Sequence, residues 1–85
     1  MSKIYAKVMF EQKIKKEYTY NLKEPFNIHH LPIYLIDICE ALDISVPIII
    51  TKHVKHYYLF NTTRFDISDF IGESDFDYLI LENGN

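Results

Sequence analysis

The sequence predicts an α+β protein in which a mixed sheet packs on one helix, in the order ββαββ, a short helical turn and a last β-strand. Three observations lead to this prediction. Residues 3–11 place core-type apolar side chains at every second position, residues 31–43 carry an apolar stripe at helical spacing, and residues 76–82 are apolar on both faces. With 85 residues, the chain has room for a single domain spanning residues 1–85.

The first two strands are predicted to form a hairpin. Residues 3–11, KIYAKVMFE, alternate as a half-buried strand does, and residues 14–22, IKKEYTYNL, alternate in the same way. Gln12 and Lys13 separate the two runs and are the predicted turn. Neither is the glycine or asparagine that a tight hairpin turn favours.

A helix is predicted over residues 31–43, because apolar residues recur there at spacings of three and four. The stripe consists of Leu31, Leu35, Ile38, Cys39 and Leu42. Pro32 suits the first turn, where its missing N–H has no hydrogen bond to lose. Ile33 and Ile36 lie beside the stripe, which predicts a broad buried face.

The second half of the chain is predicted to hold three more strands. Residues 46–51, VPIIIT, form a short β-branched run typical of a buried strand. Residues 56–61, HYYLFN, are predicted to pair with it. Residues 65–72, FDISDFIG, suggest a single helical turn, and the last strand, FDYLILE at 76–82, is expected at the centre of the sheet.

Residues 51–60, TKHVKHYYLF, have a second interpretation as a helix. The strand interpretation is favoured and places a turn near Lys52 and His53. Val54, Tyr57 and Tyr58 also fit the spacing of a helix face, so the helical alternative stays open.

The predicted order of elements resembles the ubiquitin-like β-grasp fold. The most similar segment is residues 66–82, DISDFIGESDFDYLILE, where Ile67, Ser68, Asp69 and Phe70 occupy the place of a Leu-Ser-Asp-Tyr-like turn before the last strand. Conjugated modifiers and sulfur carriers of this fold end in Gly-Gly. This chain ends in ENGN, so the resemblance implies neither conjugation nor sulfur transfer.

Composition and charge narrow the possible functions. The longest apolar run is too short for the ~20 residues of a membrane helix, and the single cysteine excludes an internal disulfide. The expectation is therefore a soluble cytoplasmic protein that contacts no membrane. Net charge is −3, with basic segments at 1–23 and 51–65 and acidic segments at 24–50 and 66–85. A net acidic chain disfavours nucleic-acid binding, which depends on neutralising phosphates.

Four histidines are the candidate metal ligands, namely His29, His30, His53 and His56. A zinc site needs three or four converging ligands. Under the strand interpretation His53 lies in a turn and His56 on a strand, so they diverge; on a helix, the same pair would lie on one face. No metal or other cofactor is predicted, and if a metal binds, these four are its ligands. Cys39 lies on the apolar stripe and is predicted to be a buried hydrophobe, not a nucleophile.

The outward side of the first strand is the predicted binding surface. Tyr5, Lys7 and Met9 lie on that side, and Lys55 and Tyr57 are expected to extend it. Aromatic and thioether groups beside a base are typical of protein contact surfaces. The predicted function is a small non-enzymatic protein-interaction module that binds another protein or a second copy of itself. The same residues also fit ordinary half-exposed strand positions.

Two other functions stay open. One is a His- or metal-assisted hydrolase that uses the histidine pairs. The other is a nucleic-acid-binding protein. Lysines of the first hairpin and the basic residues of segment 51–65 would contact phosphates, and Tyr5 and Tyr57 would stack on nucleobases. The bases involved are Lys7, Lys13, Lys15, Lys16, Lys52, Lys55 and Arg64.

Overall fold

The computed structural model describes residues 2–72 and 74–84 and confirms the α+β class. Four strands and two α-helices, with a 3-10 turn before the first helix and another after the third strand, make up the described chain. The elements are β1 (Lys3–Phe10), β2 (Lys13–Asn21), a 3-10 turn (Ile28–His30), α1 (Leu31–Leu42), α2 (Thr51–Phe60), β3 (Thr62–Asp66), a 3-10 turn (Ile67–Asp69) and β4 (Tyr78–Gly84). Glu73, inside the segment that resembles ubiquitin-like proteins, lies outside the described residues.

The strands form one sheet in the order β2-β1-β4-β3, and all three pairings are antiparallel. The prediction of a mixed sheet is therefore wrong. The expected position of β4 is confirmed, because it lies inside the sheet between β1 and β3. Its length of seven residues is that predicted, but it begins at Tyr78, two residues later than expected.

The β1–β2 hairpin is confirmed, with its turn shifted by one residue to Glu11 and Gln12. Both residues have positive φ, 50° and 66°, which is the left-handed geometry of a tight primed turn built without glycine or asparagine. The pairing changes register where Val8 faces Lys16 and Met9 faces Ile14, so that Lys15 is the extra residue of a bulge. The bulge restores Ile14 to the same face as Met9.

Helix α1 matches its prediction closely, since it ends at Leu42 and Asp43 adopts the left-handed C-cap conformation. All five residues of the predicted stripe are buried. The predicted broad buried face is wrong, because Ile33 and Ile36 are 58% and 52% exposed. The helix packs along one side only, against β2 and the adjoining core.

The prediction of two strands between residues 46 and 61 is wrong. Residues 44–50 have no regular structure, and residues 51–60 form α2. The helix buries His53 and Tyr57, which are one turn apart, and Asn61 ends it in the left-handed conformation that reverses the chain into β3. The β-branched residues at 46–50 do not pair with a strand and instead form the connection that leads into α2.

The core lies between the two helices and one face of the sheet. That face presents the buried side chains of β1, β3 and β4, and rings from the connecting segments fill the gaps. Phe26 stacks on Tyr57 with 5.2 Å between ring centroids, and Phe70 meets Phe76 edge-on at 5.0 Å. Both helices cover the same side, so the other side of the sheet has no helix over it.

Candidate functional site

The uncovered side of the sheet, called here the open face, is the best-defined candidate binding surface. Because strand residues alternate between faces, the neighbours of the buried Ile4, Ala6 and Val8 all point away from the helices. The strand register aligns the open face in three rows across β2, β1, β4 and β3. The rows are Thr19–Tyr5–Glu82–Thr62, Glu17–Lys7–Ile80–Arg64 and Ile14–Met9–Tyr78–Asp66.

The centre of the open face is a shallow apolar depression of about 210 Å³. Its lining residues come from three strands and are Tyr5, Lys7, Met9, Ile14, Tyr78, Ile80 and Glu82. Tyr5, Lys7 and Met9 therefore lie together on the side opposite the helices, where the alternation predicted them. That this surface binds a partner stays a prediction.

Local contacts hold the rim of the depression in place. The Tyr5 ring lies directly on Gly84, where a Cβ atom would overlap the ring. The Arg64 guanidinium stacks 4.9 Å from the centroid of the Tyr78 ring, and its Nε donates to Asp66 Oδ1 at 2.9 Å. Tyr5 and Tyr78 thus present aromatic rings whose positions are set by their own sheet, which reduces the entropy lost on binding.

Lys55 and Tyr57 do not extend the open face, so that part of the predicted surface is wrong. Both lie on α2, in the layer on the other side of the sheet. Tyr57 is only 1% exposed, and its hydroxyl donates to Asn83 Oδ1. Burial raises the pKa of this hydroxyl. Lys55 is exposed on the outer side of the helix.

His53 is a structural residue whose two ring nitrogens both have partners inside the protein. It is 1% exposed and packs on Phe65 with 4.4 Å between ring centroids. Its Nδ1 accepts from the Ile50 N–H at 3.0 Å, which fixes the proton on Nε2, and Nε2 donates to Asp69 Oδ2 at 3.1 Å. Ile50 is the N-cap residue of α2, and its side chain has no polar atom to serve as a cap. The side chain of His53, at the third helical position, instead accepts from the Ile50 N–H and caps the helix.

The other histidines do not assemble with His53. His56 is exposed, and its Nδ1 donates a hydrogen bond to the Thr62 carbonyl oxygen at 2.7 Å. His29 and His30 are exposed on the 3-10 turn before α1. Within residues 2–72 and 74–84, no group of three or more His, Cys, Asp or Glu side chains has the geometry to hold a metal ion. The helical interpretation of residues 51–60 is correct, yet it does not create a metal site among these residues.

Cys39 is fully buried in the core, as predicted. Burial keeps the thiol out of contact with solvent and raises its pKa to about 12. The thiol is therefore protonated at neutral pH. Such a thiol has neither the charge nor the access that nucleophilic catalysis requires.

Apart from Lys7 and Arg64, which lie in one row of the open face, the basic residues of the nucleic-acid hypothesis fall into two separate groups. Lys13, Lys15 and Lys16 lie on β2, whereas Lys52 and Lys55 lie on α2, which packs against β3. Since β2 and β3 are the two outer strands, the groups are at opposite edges of the sheet. Within the β2 group, two lysines already have partners: Lys15 pairs with Asp75 at 2.6 Å, and Lys16 donates to the Leu42 carbonyl at 2.9 Å.

Two features of the surface were not predicted from the sequence. The last three residues of α2, Tyr58, Leu59 and Phe60, are all more than half exposed, which only the helical interpretation places on the outside. The other half of the open face comes from β4 and β3, and its members Ile80 and Arg64 gave no signal in the sequence beyond alternation.

A search for known relatives found no family model, curated protein or solved structure that matches this chain at a significant level. In the described part of the chain, no helix combines the length and apolar character needed to cross a bilayer.

Proposed function

We propose that this protein is a small non-enzymatic, intracellular interaction module that binds a protein partner through its open face. The observation that carries the proposal is the uncovered apolar depression at the centre of the sheet. Five of its lining side chains are apolar or aromatic, and two are charges of opposite sign, Lys7 and Glu82. Lys7 lies in the middle row beside Ile80, and Glu82 lies one row away. Aromatic residues and Met, which form most of the lining, are enriched at protein contact surfaces.

The composition of the open face favours a protein over a small ligand. The depression is shallow and is open along one side of the sheet, whereas small-molecule sites enclose most of the ligand surface. Tyr, Met and Arg are enriched at protein interfaces, and the three rows of the open face contain Tyr5, Met9, Tyr78 and Arg64. Covering such side chains removes apolar area from water, and their packed rings lose little freedom in the process.

The placement of reactive groups supports a non-enzymatic role. Cys39 is buried and protonated, and both nitrogens of His53 have structural partners. Neither group lies in the depression of the open face. The proposal therefore assigns the site to recognition and not to acid–base or nucleophilic chemistry.

A β-grasp relationship of the fold is a separate proposal. The hairpin followed by a helix and the 3-10 turn before β4 support it. The antiparallel pairing of β1 with β4 speaks against it, because the predicted β-grasp-like arrangement has a mixed sheet. The proposed function depends on the open face alone and does not require this relationship.

Photo-crosslinking in cells tests the proposed function. A benzophenone-bearing phenylalanine replaces Tyr5 on the open face or, as a matched control, the exposed Tyr58 on α2. We expect a discrete protein adduct from position 5 that disappears when Ile80→Asp is added, and no such adduct from position 58. Circular dichroism checks that every variant is folded. Adducts from position 58 alone, or adducts from position 5 that survive Ile80→Asp, would show that the open face is not the binding surface.

A further inference from the structure

We infer that the partner of the open face is the open face of a second copy of this chain, packed as a twofold symmetric β-sandwich. The inference rests on the proposed function and specifies its partner. It is argued from the distribution of charge on the open face, from the strand order and from the size of the face.

The charges of the open face are balanced. The open face presents three bases and three acids when Lys3, one row beyond Tyr5, is included, although other segments of the chain are strongly one-signed. The basic residues are Lys3, Lys7 and Arg64, and the acidic residues are Glu17, Asp66 and Glu82. A strongly charged partner gains little from such a surface. A surface with the same balanced composition gains opposite-charge pairs wherever the symmetry brings unlike residues together.

The strand order supplies a symmetry that does this. A twofold axis parallel to the strands, passing between β1 and β4, reverses the order β2-β1-β4-β3 in the second copy. Strand β1 then faces β4 of the second copy, and β2 faces β3 of the second copy. Because rotation about this axis keeps each row opposite its own equivalent, the register of the sheet determines which side chains meet.

In this arrangement, opposite charges face each other at the two ends of the middle row, while the outer rows set Thr19 against Thr62 and Ile14 against Asp66. Glu17 meets Arg64 of the second copy. Lys7 faces Ile80 of the second copy, and Glu82 of the second copy lies in the row next to Ile80. Met9 meets the Tyr78 ring of the second copy, and thioether–aromatic contacts of this kind are favourable. Each contact occurs twice because the interface is isologous.

The other symmetric arrangement is less favourable. A twofold axis across the strands, centred on the middle row, sets Lys7 against Lys7, Glu17 against Glu17 and Arg64 against Arg64. Like charges that face each other across an interface are repulsive. Both arrangements keep the strands of the two sheets aligned, as in sandwiches whose sheets cross at roughly 30°, so the charges alone distinguish them.

The size of the open face sets the expected strength of the dimer. Four strands about 4.8 Å apart and three rows about 7 Å apart give a face of roughly 20 by 20 Å. Allowing for side-chain relief, each copy would bury roughly 500–600 Å², which is at the low end for a specific interface. We therefore expect a reversible dimer with a dissociation constant in the micromolar range, seen on concentration and lost on dilution.

Charge exchange between Glu17 and Arg64 tests the inference. The two residues lie on the opposite outer strands of one copy, so they meet only across the dimer. Sedimentation velocity is measured over a concentration series for the wild type, Glu17→Arg, Arg64→Glu and the double variant. We expect each single variant to dimerise roughly tenfold or more weakly, because two attractive pairs become repulsive. The double variant is expected to recover most of the lost association, although it lacks the stacking of Arg64 on Tyr78.

A mixture of the two single variants gives the most specific readout. When Glu17→Arg and Arg64→Glu chains combine, both pairs in the heterodimer are attractive, so the mixture is expected to associate more strongly than either variant alone. Arg64→Glu also removes the Asp66 bridge within its own chain. If loss of the Asp66 bridge were the cause of weaker association, the mixture would associate weakly as well. Recovery in the mixture would therefore show that the charge pairs across the dimer are responsible.

Two isoleucines provide the matched control for the apolar centre. Ile80→Asp places a carboxylate in the depression and is expected to abolish dimerisation, whereas Ile33→Asp on the exposed side of α1 is expected to leave it unchanged. Both variants are checked for folding by circular dichroism.

The outcomes separate this inference from the proposed function. A wild-type protein that stays monomeric at about 1 mM, where an interface of this size should be populated, overturns the second copy as partner. So does a dimer that is insensitive to Ile80→Asp or to the charge exchange. If position 5 then crosslinks to a different protein in cells, the proposed function stands without this inference; if it gives no adduct, both are wrong.

Discussion

Replacing His53 tests the assignment of this buried imidazole as the cap of α2. In His53→Ala, the Ile50 N–H loses its acceptor and Asp69 loses the donor at 3.1 Å. The ring also leaves a space against Phe65, whose centroid is 4.4 Å away. These three losses have separate physical origins and can be estimated separately.

The expected destabilisation is about 3–4 kcal/mol. The uncapped Ile50 N–H costs about 1 kcal/mol, the low end of the range for an unpaired group, because this helix start is only partly buried. The lost hydrogen bond to the Asp69 carboxylate contributes about 1 kcal/mol, and removal of the buried ring contributes about 1–2 kcal/mol. For a domain expected to have a total stability of roughly 5 kcal/mol, this is a large fraction.

Urea unfolding followed by circular dichroism measures the effect, and two variants serve as comparisons. His53→Gln is expected to lose only about half as much, since glutamine at the third helical position can accept from the N-cap N–H. His56→Ala on the same helix should cost less than about 1 kcal/mol, because His56 is exposed and its one hydrogen bond faces water. Nitrogen NMR shifts should identify the proton of His53 on Nε2.

Equal destabilisation by His53→Ala and His56→Ala would refute the assignment of His53 as the cap of α2. An equal cost would mean that burial and capping at His53 contribute nothing. If His53→Gln is as damaging as His53→Ala while the fold is kept, the capping hydrogen bond is not the important contact, and the ring packing alone explains the effect.

Three further predictions follow from single contacts. Gln12→Gly is expected to raise the free energy of unfolding by about 1 kcal/mol, because Gln12 has a φ of 66° that glycine adopts without strain; an unchanged urea midpoint would contradict this. Cys39 should react with a thiol reagent only when urea unfolds the protein, so fast labelling of the native form would disprove its burial. The hydrogen bond to Asp37 raises the pKa of Tyr20 to about 12, above the unfolded value of about 10, so its stabilising contribution is full below pH 10 and is lost as pH rises towards 12. In a spectrophotometric titration, Asp37→Asn should shift one tyrosine back towards its ordinary range, and an unchanged curve would contradict the assignment.

The first half of the fold was predictable because its signals are local. In the β1–β2 hairpin and in α1, the residues that must be buried together are neighbours along a single element, two apart on a strand or three to four apart on a helix. Their spacing therefore defines the buried face without knowledge of the rest of the chain. Tyr5 and Met9 were placed on the open face by this argument alone.

The second half was not predictable in the same way. Short apolar runs such as residues 46–50 and 57–60 have the same local pattern in a strand and in a buried helix. The choice was made by contacts distant in sequence: His53 against Phe65, and Tyr57 against Phe26. Those contacts form only when residues 51–60 are a helix that packs over β3. Residues 44–50 are then the connection that leads to this helix.

By itself, the sequence determined which side of each regular element is apolar, because alternation and helical spacing are properties of neighbouring residues. Only the tertiary structure decided which elements share a layer and in what order the strands pair. Tyr57 moved from the expected surface into the core, while Ile80 and Arg64 joined Tyr5 and Lys7 on the open face. Strand order depends on pairing between segments up to eighty residues apart, and the pattern within each segment carries no record of its partner.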